Sequence, residues 1–193
     1  MADPVLHLVA GPNGAGKTAL YDHVIGPATH LEFVNADVIA ERRWPDDPAR
    51  MSYEAALVAA ALRSELIDSR TSFATETVFS HGSKLELVRS AVEAGYLVTL
   101  HVVIVPVTLA VARVTNRVSV GGHTVPKDKI SERYKRIWPL LVSAIALADT
   151  ATVYDNSSAR RPFRVVASFE RAVMVGEPDW PAWTPKALLK AGR

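Results

Sequence analysis

The sequence has 193 residues, 49% hydrophobic and 22% charged, with no cysteine and a formal net charge of +2. Length and apolar content fit one globular domain burying roughly 70% of its unfolded surface, and they exclude a disordered or collagen-like chain. The missing thiols exclude a disulfide framework, cysteine catalysis and any Cys-ligated zinc or iron–sulfur site. Val5–Ala10 is a short apolar run that predicts a central strand ending at Gly11-Pro12. It is too short for a signal-peptide core or a membrane span, so a cytoplasmic protein without membrane contact is expected. Residues 17–25 predict a helix that stops at Gly26-Pro27. A second strand, Leu31–Val34, leads into the polar corner Asn35-Ala36-Asp37, and residues 42–50 read as a loop.

Ser52 is placed to cap a helix over Tyr53–Asp68. Phe73–Glu76 predicts a third strand, and Ser83 to Glu86 forms a capping-box pattern opening a helix that ends at Gly95. Leu97–Val105 is the strongest strand signal. Residues 107–118 predict a helix with Arg113 and Arg117 four apart on one face. Gly121-Gly122 breaks it, and Pro126 begins another helix that reaches Ala148, with a kink expected near Trp138-Pro139. Thr152–Tyr154 and Phe163–Phe169 predict the last strands, and Trp180 and Trp183 read as packing anchors in a tail over residues 177–193. Strands alternating with helices predict a parallel sheet covered on both faces.

Gly11-Pro12-Asn13-Gly14-Ala15-Gly16-Lys17-Thr18 matches G-x-x-x-x-G-K-[ST] in full, between a predicted strand and a predicted helix. Glycines let backbone N–H groups approach phosphate oxygens, and the helix start adds a positive dipole end. Lys17 then neutralises β- and γ-phosphate charge, and the Thr18 hydroxyl is the expected Mg²⁺ ligand. The pattern predicts nucleotide binding through Gly11, Asn13, Gly14, Ala15, Gly16, Lys17 and Thr18. No strong Walker B pattern appears, because Leu97–Val105 runs into Pro106 with no acid. GTPase base-reading motifs are also absent. These features point to phosphoryl transfer rather than to a conformational switch.

An acceptor hydroxyl needs a carboxylate near the γ-phosphate, and ligands of an open parallel sheet gather at the carboxyl ends of its strands. Asp37 and Glu76 occupy such ends. Asp37 is the better candidate for the base, with capping of the following helix as its structural alternative. Glu76 is placed to hold a substrate hydroxyl, with Thr75 or Thr77 assisting and Asn35 as a further substrate contact.

The small net charge hides a division. Residues 1–100 carry 8 basic and 13 acidic side chains, residues 101–193 carry 14 and 7. Within 113–136, seven Lys and Arg face only Asp128 and Glu132. This suits a phosphorylated ligand, a nucleic acid or a solvated helix face. A Gly-Gly hinge flanked by arginines also suits a closing lid over residues 117–136. There Arg117, Arg133 and Arg136 could stabilise the transferring phosphoryl group, and His123 could touch a phosphate or hydroxyl. Nucleic acid is the less favoured ligand: the segment has no interleaved aromatics beyond Tyr134, and the acidic first half repels a long phosphate backbone.

The motifs GPNGAGKT, NAD-x-I-A, T-E-T, R-V-x-x-GGH-x-VP-x-x-x-I-x-x-R-Y-x-R and VYDNS together resemble the zeta toxin family of P-loop kinases, particularly its short members, over roughly residues 5–157. The resemblance implies a three-layer, nucleotide-kinase-like α/β fold with a helical lid. It also implies ATP- and Mg²⁺-dependent phosphorylation of the 3-hydroxyl of a UDP-N-acetyl amino sugar, by a toxin held by a protein antitoxin. Carried onto this sequence, Lys17 and Thr18 bind nucleotide and metal, Asp37 is the base, Glu76 contacts the sugar, and Arg117 with Arg133 or Arg136 bind phosphate. The family's E-T-T-L-S is here Glu76-Thr77-Val78-Phe79-Ser80, so the substrate wall differs. Two alternatives stand beside this reading: a phosphotransferase for another metabolite or antibiotic hydroxyl, and a nucleotide-dependent module gripping RNA or protein.

Overall fold

The structure is a computed structural model describing residues 2–119 and 127–192, with side chains described outside 117–119 and 127–129. Seven described strands form one sheet in the order β2-β3-β1-β4-β5-β6-β7. These are β1 (Val5–Ala10), β2 (Glu32–Val34), β3 (Phe73–Thr77), β4 (Leu97–Ile104), β5 (Thr150–Asp155), β6 (Arg164–Glu170) and β7 (Val173–Val175). The first five run parallel, as the alternation of strands and helices predicts. β6 and β7 depart from the all-parallel expectation and add antiparallel. The β5–β6 connection carries no helix, and without a crossover the chain returns antiparallel.

The strands alternate between two cores. Leu6, Leu8 and Ala10 of β1 join the larger one with Val98, Leu100, Val102 and Ile104 of β4. Val9, Val103 and Val105 join the smaller one with Ala15, Leu20, Ile25 and Ala110. The larger core is covered by α4 (Ser52–Asp68), α5 (Ser83–Glu93) and α7 (Lys127–Leu147). The smaller one lies under α1 (Lys17–Leu20) and α6 (Val107–Ser119). Helices on both faces make the three-layer, nucleotide-kinase-like α/β fold. Trp180 and Trp183 pack on the larger core and Leu188 is fully buried in it, so the tail is anchored as expected.

Four local expectations are corrected. Gly26-Pro27 does not stop the first helix: α1 passes through a π-helical turn, Tyr21–Ile25, into α2 (Gly26–Thr29). Pro27 falls in the first turn of α2, where a missing N–H costs little. Ser52 is the first residue of α4, not its cap, and makes no capping bond. The Ser83–Glu86 capping box does not form either, because His81 Nδ1 accepts from Ser83 N at 3.2 Å instead. Finally, residues 42 and 43 belong to α3 (Ala36–Arg43) rather than to the loop.

The register places the ends of three strands side by side. Ala10 pairs with Thr77 and Val102, and Val34 pairs with Thr75. The chain leaves these ends at Gly11, Asn35 and Val78, so the phosphate cradle, the Asn35–Asp37 corner and Glu76 share one rim.

Candidate active site

The glycine-rich loop is held from behind. Arg113 on α6 donates to the carbonyls of Gly14 (3.2 Å) and Asn156 (3.0 Å), and Asn156 Nδ2 donates to the Ala15 carbonyl at 2.8 Å. Anchored carbonyls cannot turn toward an incoming phosphate, which leaves that space to N–H donors. Gly11 has φ 151°, and a Cβ there would collide with the Val103 carbonyl. Gly16 has φ 91°, and its Cβ would meet Asn156 Nδ2 at 2.5 Å. Close approach of the Val103 backbone at Gly11 and of the Asn156 side chain at Gly16, together with the positive φ, therefore requires these two glycines.

Lys17 is only 6% exposed and donates to the Pro12 carbonyl at 3.2 Å. Its Nζ also lies 3.5 Å from Glu76 Oε1. The other oxygen of Glu76 accepts from Thr18 Oγ1 (2.7 Å) and Asn35 Nδ2 (2.9 Å). Asn35 in turn caps α3, its Oδ1 accepting from Asp37 N at 2.8 Å. One chain of polar contacts thus runs from the cradle through Glu76 and Asn35 to the backbone of Asp37. The cap of α3 is Asn35, so Asp37 is not committed to capping. Its side chain is exposed and lines a cavity of about 360 Å³ together with Asn13, Gly14, Lys17, Thr18 and Glu76.

The donor set fits a nucleotide and a hard cation. Thr18, Glu76 and Asp37 offer only oxygen, as magnesium requires, and leave most positions to water and phosphate. The nearly buried Lys17, held by a carboxylate and a carbonyl, is a cation whose partners phosphate oxygens can replace.

Of the predicted site residues, Asn13, Gly14, Gly16, Lys17, Thr18, Asp37 and Glu76 line this cavity. Asn35 reaches it through Glu76, and Gly11 and Ala15 shape the loop. Thr77 ends β3, facing the opposite side of the sheet from Glu76. Arg133 and Arg136 lie on α7 and are not among the residues lining the cavity. Arg117 lies in the last turns of α6, with its side chain outside those described, and His123 lies outside the described residues. Arg113 and Asn156 line the cavity without having been singled out. The signals were present: Arg113 shares a helix face with Arg117, and Asn156 sits in the VYDNS motif.

The profile of the zeta toxin family matches residues 1–161, more than four fifths of the sequence. The chain belongs to the zeta toxin family. It is 29% identical over 125 residues to an uncharacterized protein of Haemophilus influenzae, spanning 64% of this chain and 88% of that one. A solved structure of AvrRxo1-ORF1:-ORF2 with ATP matches with a TM-score of 0.71 at 17% identity, over 90% of this chain and 60% of that one. The zeta-family chain thus spans about three fifths of that neighbour. The PezAT toxin–antitoxin system of Streptococcus pneumoniae matches with a TM-score of 0.63 at 14% identity, over 87% of this chain and 72% of that one. Shikimate kinase from Acinetobacter baumannii, in complex with shikimate, matches with a TM-score of 0.55 at 21% identity, over 82% and 87%. At these identities the likenesses establish the shared α/β fold.

Proposed function

We propose that this zeta-family protein is a single-domain, ATP- and magnesium-dependent kinase acting on the sugar 3-hydroxyl of a UDP-N-acetyl amino sugar, as the toxin of a toxin–antitoxin pair. The observation that carries the kinase reading is the joining of Lys17 and Thr18 to Asp37 through Glu76 and Asn35 around one cavity. Family membership carries the sugar-nucleotide and antitoxin readings.

Thr18 would hold the magnesium ion, which would supply charge neutralisation for the nucleotide phosphates, while Glu76 is assigned to the acceptor sugar. Lys17 turns from Glu76 and Pro12 to the phosphate oxygens. Asp37 accepts the proton of the acceptor hydroxyl as its oxygen bonds to the γ-phosphorus. The bond from that phosphorus to the β–γ bridging oxygen breaks, and ADP leaves. Arg117, four residues beyond Arg113 on α6, is assigned to charge on the transferring group, with Arg133 or Arg136 contributing from α7 and His123 beside the acceptor.

The test is incubation with ATP and a panel of UDP-sugars, followed by mass spectrometry. A product heavier by one phosphoryl group is expected for a UDP-N-acetyl amino sugar. In Asp37→Asn, transfer should be lost while ATP binding persists. Full activity in that variant overturns the assignment of the base. A phosphorylated product from some other hydroxyl compound alone would keep the kinase and discard the sugar nucleotide.

A further inference from the structure

Beyond the carboxyl end of β4, the first turn of α6, the middle of α7 and the tail border a second cavity of about 460 Å³. It shares no described lining residue with the nucleotide cavity, to which α6 contributes Arg113 and Val114 instead. Two of its lining residues, Trp183 and Pro185, lie beyond the residues 1–161 that the family profile matches. Family membership therefore does not predict this cavity, and no step of the proposed phosphoryl transfer uses it.

Its walls are held in place. Tyr134 and Trp138 of α7 stand edge to face, with ring centroids 4.9 Å apart. The Tyr134 hydroxyl donates to the Val105 carbonyl at 2.8 Å, and burial pushes its pKa up to about 12, so it brings no negative charge. In the tail, Thr184 N donates to the Pro181 carbonyl and Leu188 N to that of Pro185, both at 2.9 Å. Fully buried Leu188 ties these turns to the larger core. Aromatic rings from Tyr134, Trp138 and Trp183 around one space of this size suit a planar apolar body.

The polar groups there favour negative charge. Lys135 is exposed, lines the cavity and, among the described residues, pairs with no carboxylate. No acid is among the described lining residues, and the first turn of α6 carries none. The first bond of α6 runs from Ala110 N to the Pro106 carbonyl at 2.9 Å. The N–H groups of Val107 and Thr108, both lining residues, precede it without a helical acceptor. Trp138 is only 4% exposed, and its Nε1 is a buried donor that finds no acceptor among the described residues. Ammonium, helix N-terminus and indole N–H all stand in want of an acceptor.

We propose that this cavity is an accessory site for a planar aromatic monocarboxylate, its ring among Tyr134, Trp138 and Trp183 and its carboxylate between Lys135 and the N-terminus of α6. A carboxylate is favoured over a phosphoryl group because a mostly apolar lining with one ammonium balances a single charge, whereas a phosphoryl group carries nearly two. A ringless acid would meet the cation but leave the aromatic faces unstacked. The assignment does not depend on the kinase reading of the nucleotide cavity.

The test is calorimetric titration of the full chain, first free and then with magnesium and the β,γ-imido analogue of ATP filling the nucleotide cavity. The probes are indoleacetate, its uncharged amide and ringless hexanoate. In both states indoleacetate should bind about tenfold or more tightly than either control. Lys135→Met, at an exposed position, should bring indoleacetate down to the level of the amide and leave the amide unchanged. Thr108→Glu places an acid where a helix start favours one, so the fold should persist while indoleacetate binding is lost. Trp183→Ala should weaken both ring-bearing probes alike. No detectable indoleacetate binding, equal binding of acid and amide, or unchanged indoleacetate affinity in Lys135→Met or Thr108→Glu overturns the site. Equal binding of hexanoate discards the aromatic ligand. Indoleacetate binding to the free chain but not to the analogue-bound one would give the cavity to the nucleotide base and discard the accessory site.

Discussion

Asn156 and Arg113 illustrate how much a nucleotide site owes to residues that need not touch the nucleotide. Both hold carbonyls of the glycine-rich loop, and Arg113 also holds the carbonyl of Asn156, so they brace one object. Asn156→Ala leaves the Ala15 carbonyl without its donor and should weaken ATP by roughly tenfold, about 1.4 kcal/mol. Arg113→Ala frees two carbonyls from a charged donor and should cost more. Because the two act on the same loop, the double variant should lose less than the sum. Additive losses in equilibrium nucleotide binding would mean that the two braces are independent. At this scale the sequence was partly legible. The motif names every residue of the cradle, since its glycines are required by local backbone geometry. It does not name the braces, which lie about 100 and 140 residues away and become visible only once α6 and the end of β5 pack behind the loop.

Between β1, β4 and β5, His7 Nδ1 lies 3.0 Å from His101 Nε2, and His101 Nδ1 lies 3.2 Å from the Tyr154 hydroxyl. The neutral rings have one N–H each, so a single direction of donation satisfies the row. Burial lowers the pKa of both histidines; with His7 as a further cause, that of His101 falls to about 3. His101 is therefore neutral in the folded protein at pH 6.5, where the unfolded chain begins to take up protons, and His7 is shifted in the same direction. The contribution of His101 to stability is complete above pH 6.5 and declines as the pH falls toward 3, by up to about 1.4 kcal/mol per unit, and His7 adds a loss of the same sign. Urea midpoints at pH 7.5, 6 and 5 should fall in that order, and less steeply in His101→Gln. Parallel curves for the two proteins would deny the row this role. From the sequence, His101 only interrupts an apolar strand. Its partners are set by the register of β1 beside β4, which periodicity does not supply. The same limit applies to the antiparallel β6 and β7: the apolar run Phe163–Phe169 predicts a strand but not its direction.

At the scale of the whole molecule, charges from the acidic first half and the basic second half meet at one rim. Asp37 and Glu76 reach the cavity from β2 and β3, while Arg113 and Asn156 reach it from beyond β4. The order of strands was hidden in the sequence, yet the layered α/β class was open to view because it depends only on alternation. The charge division has a measurable consequence. A groove built for long nucleic acid would neutralise many phosphates and lose about 10³–10⁵ in affinity between 50 and 200 mM salt. Here the opposite charges converge within one cavity of about 360 Å³, room for a small phosphorylated ligand and its magnesium. Few phosphates can be engaged there, and short-range buried pairs are poorly screened. Binding of ATP should therefore change by less than about tenfold over the same salt range, with single-stranded RNA showing only weak, salt-labile binding. Tight RNA binding with a steep salt slope would instead assign the basic segment to a nucleic acid. The acids of the first half would then be working against the ligand, an arrangement that a kinase for a small acceptor has no need to overcome.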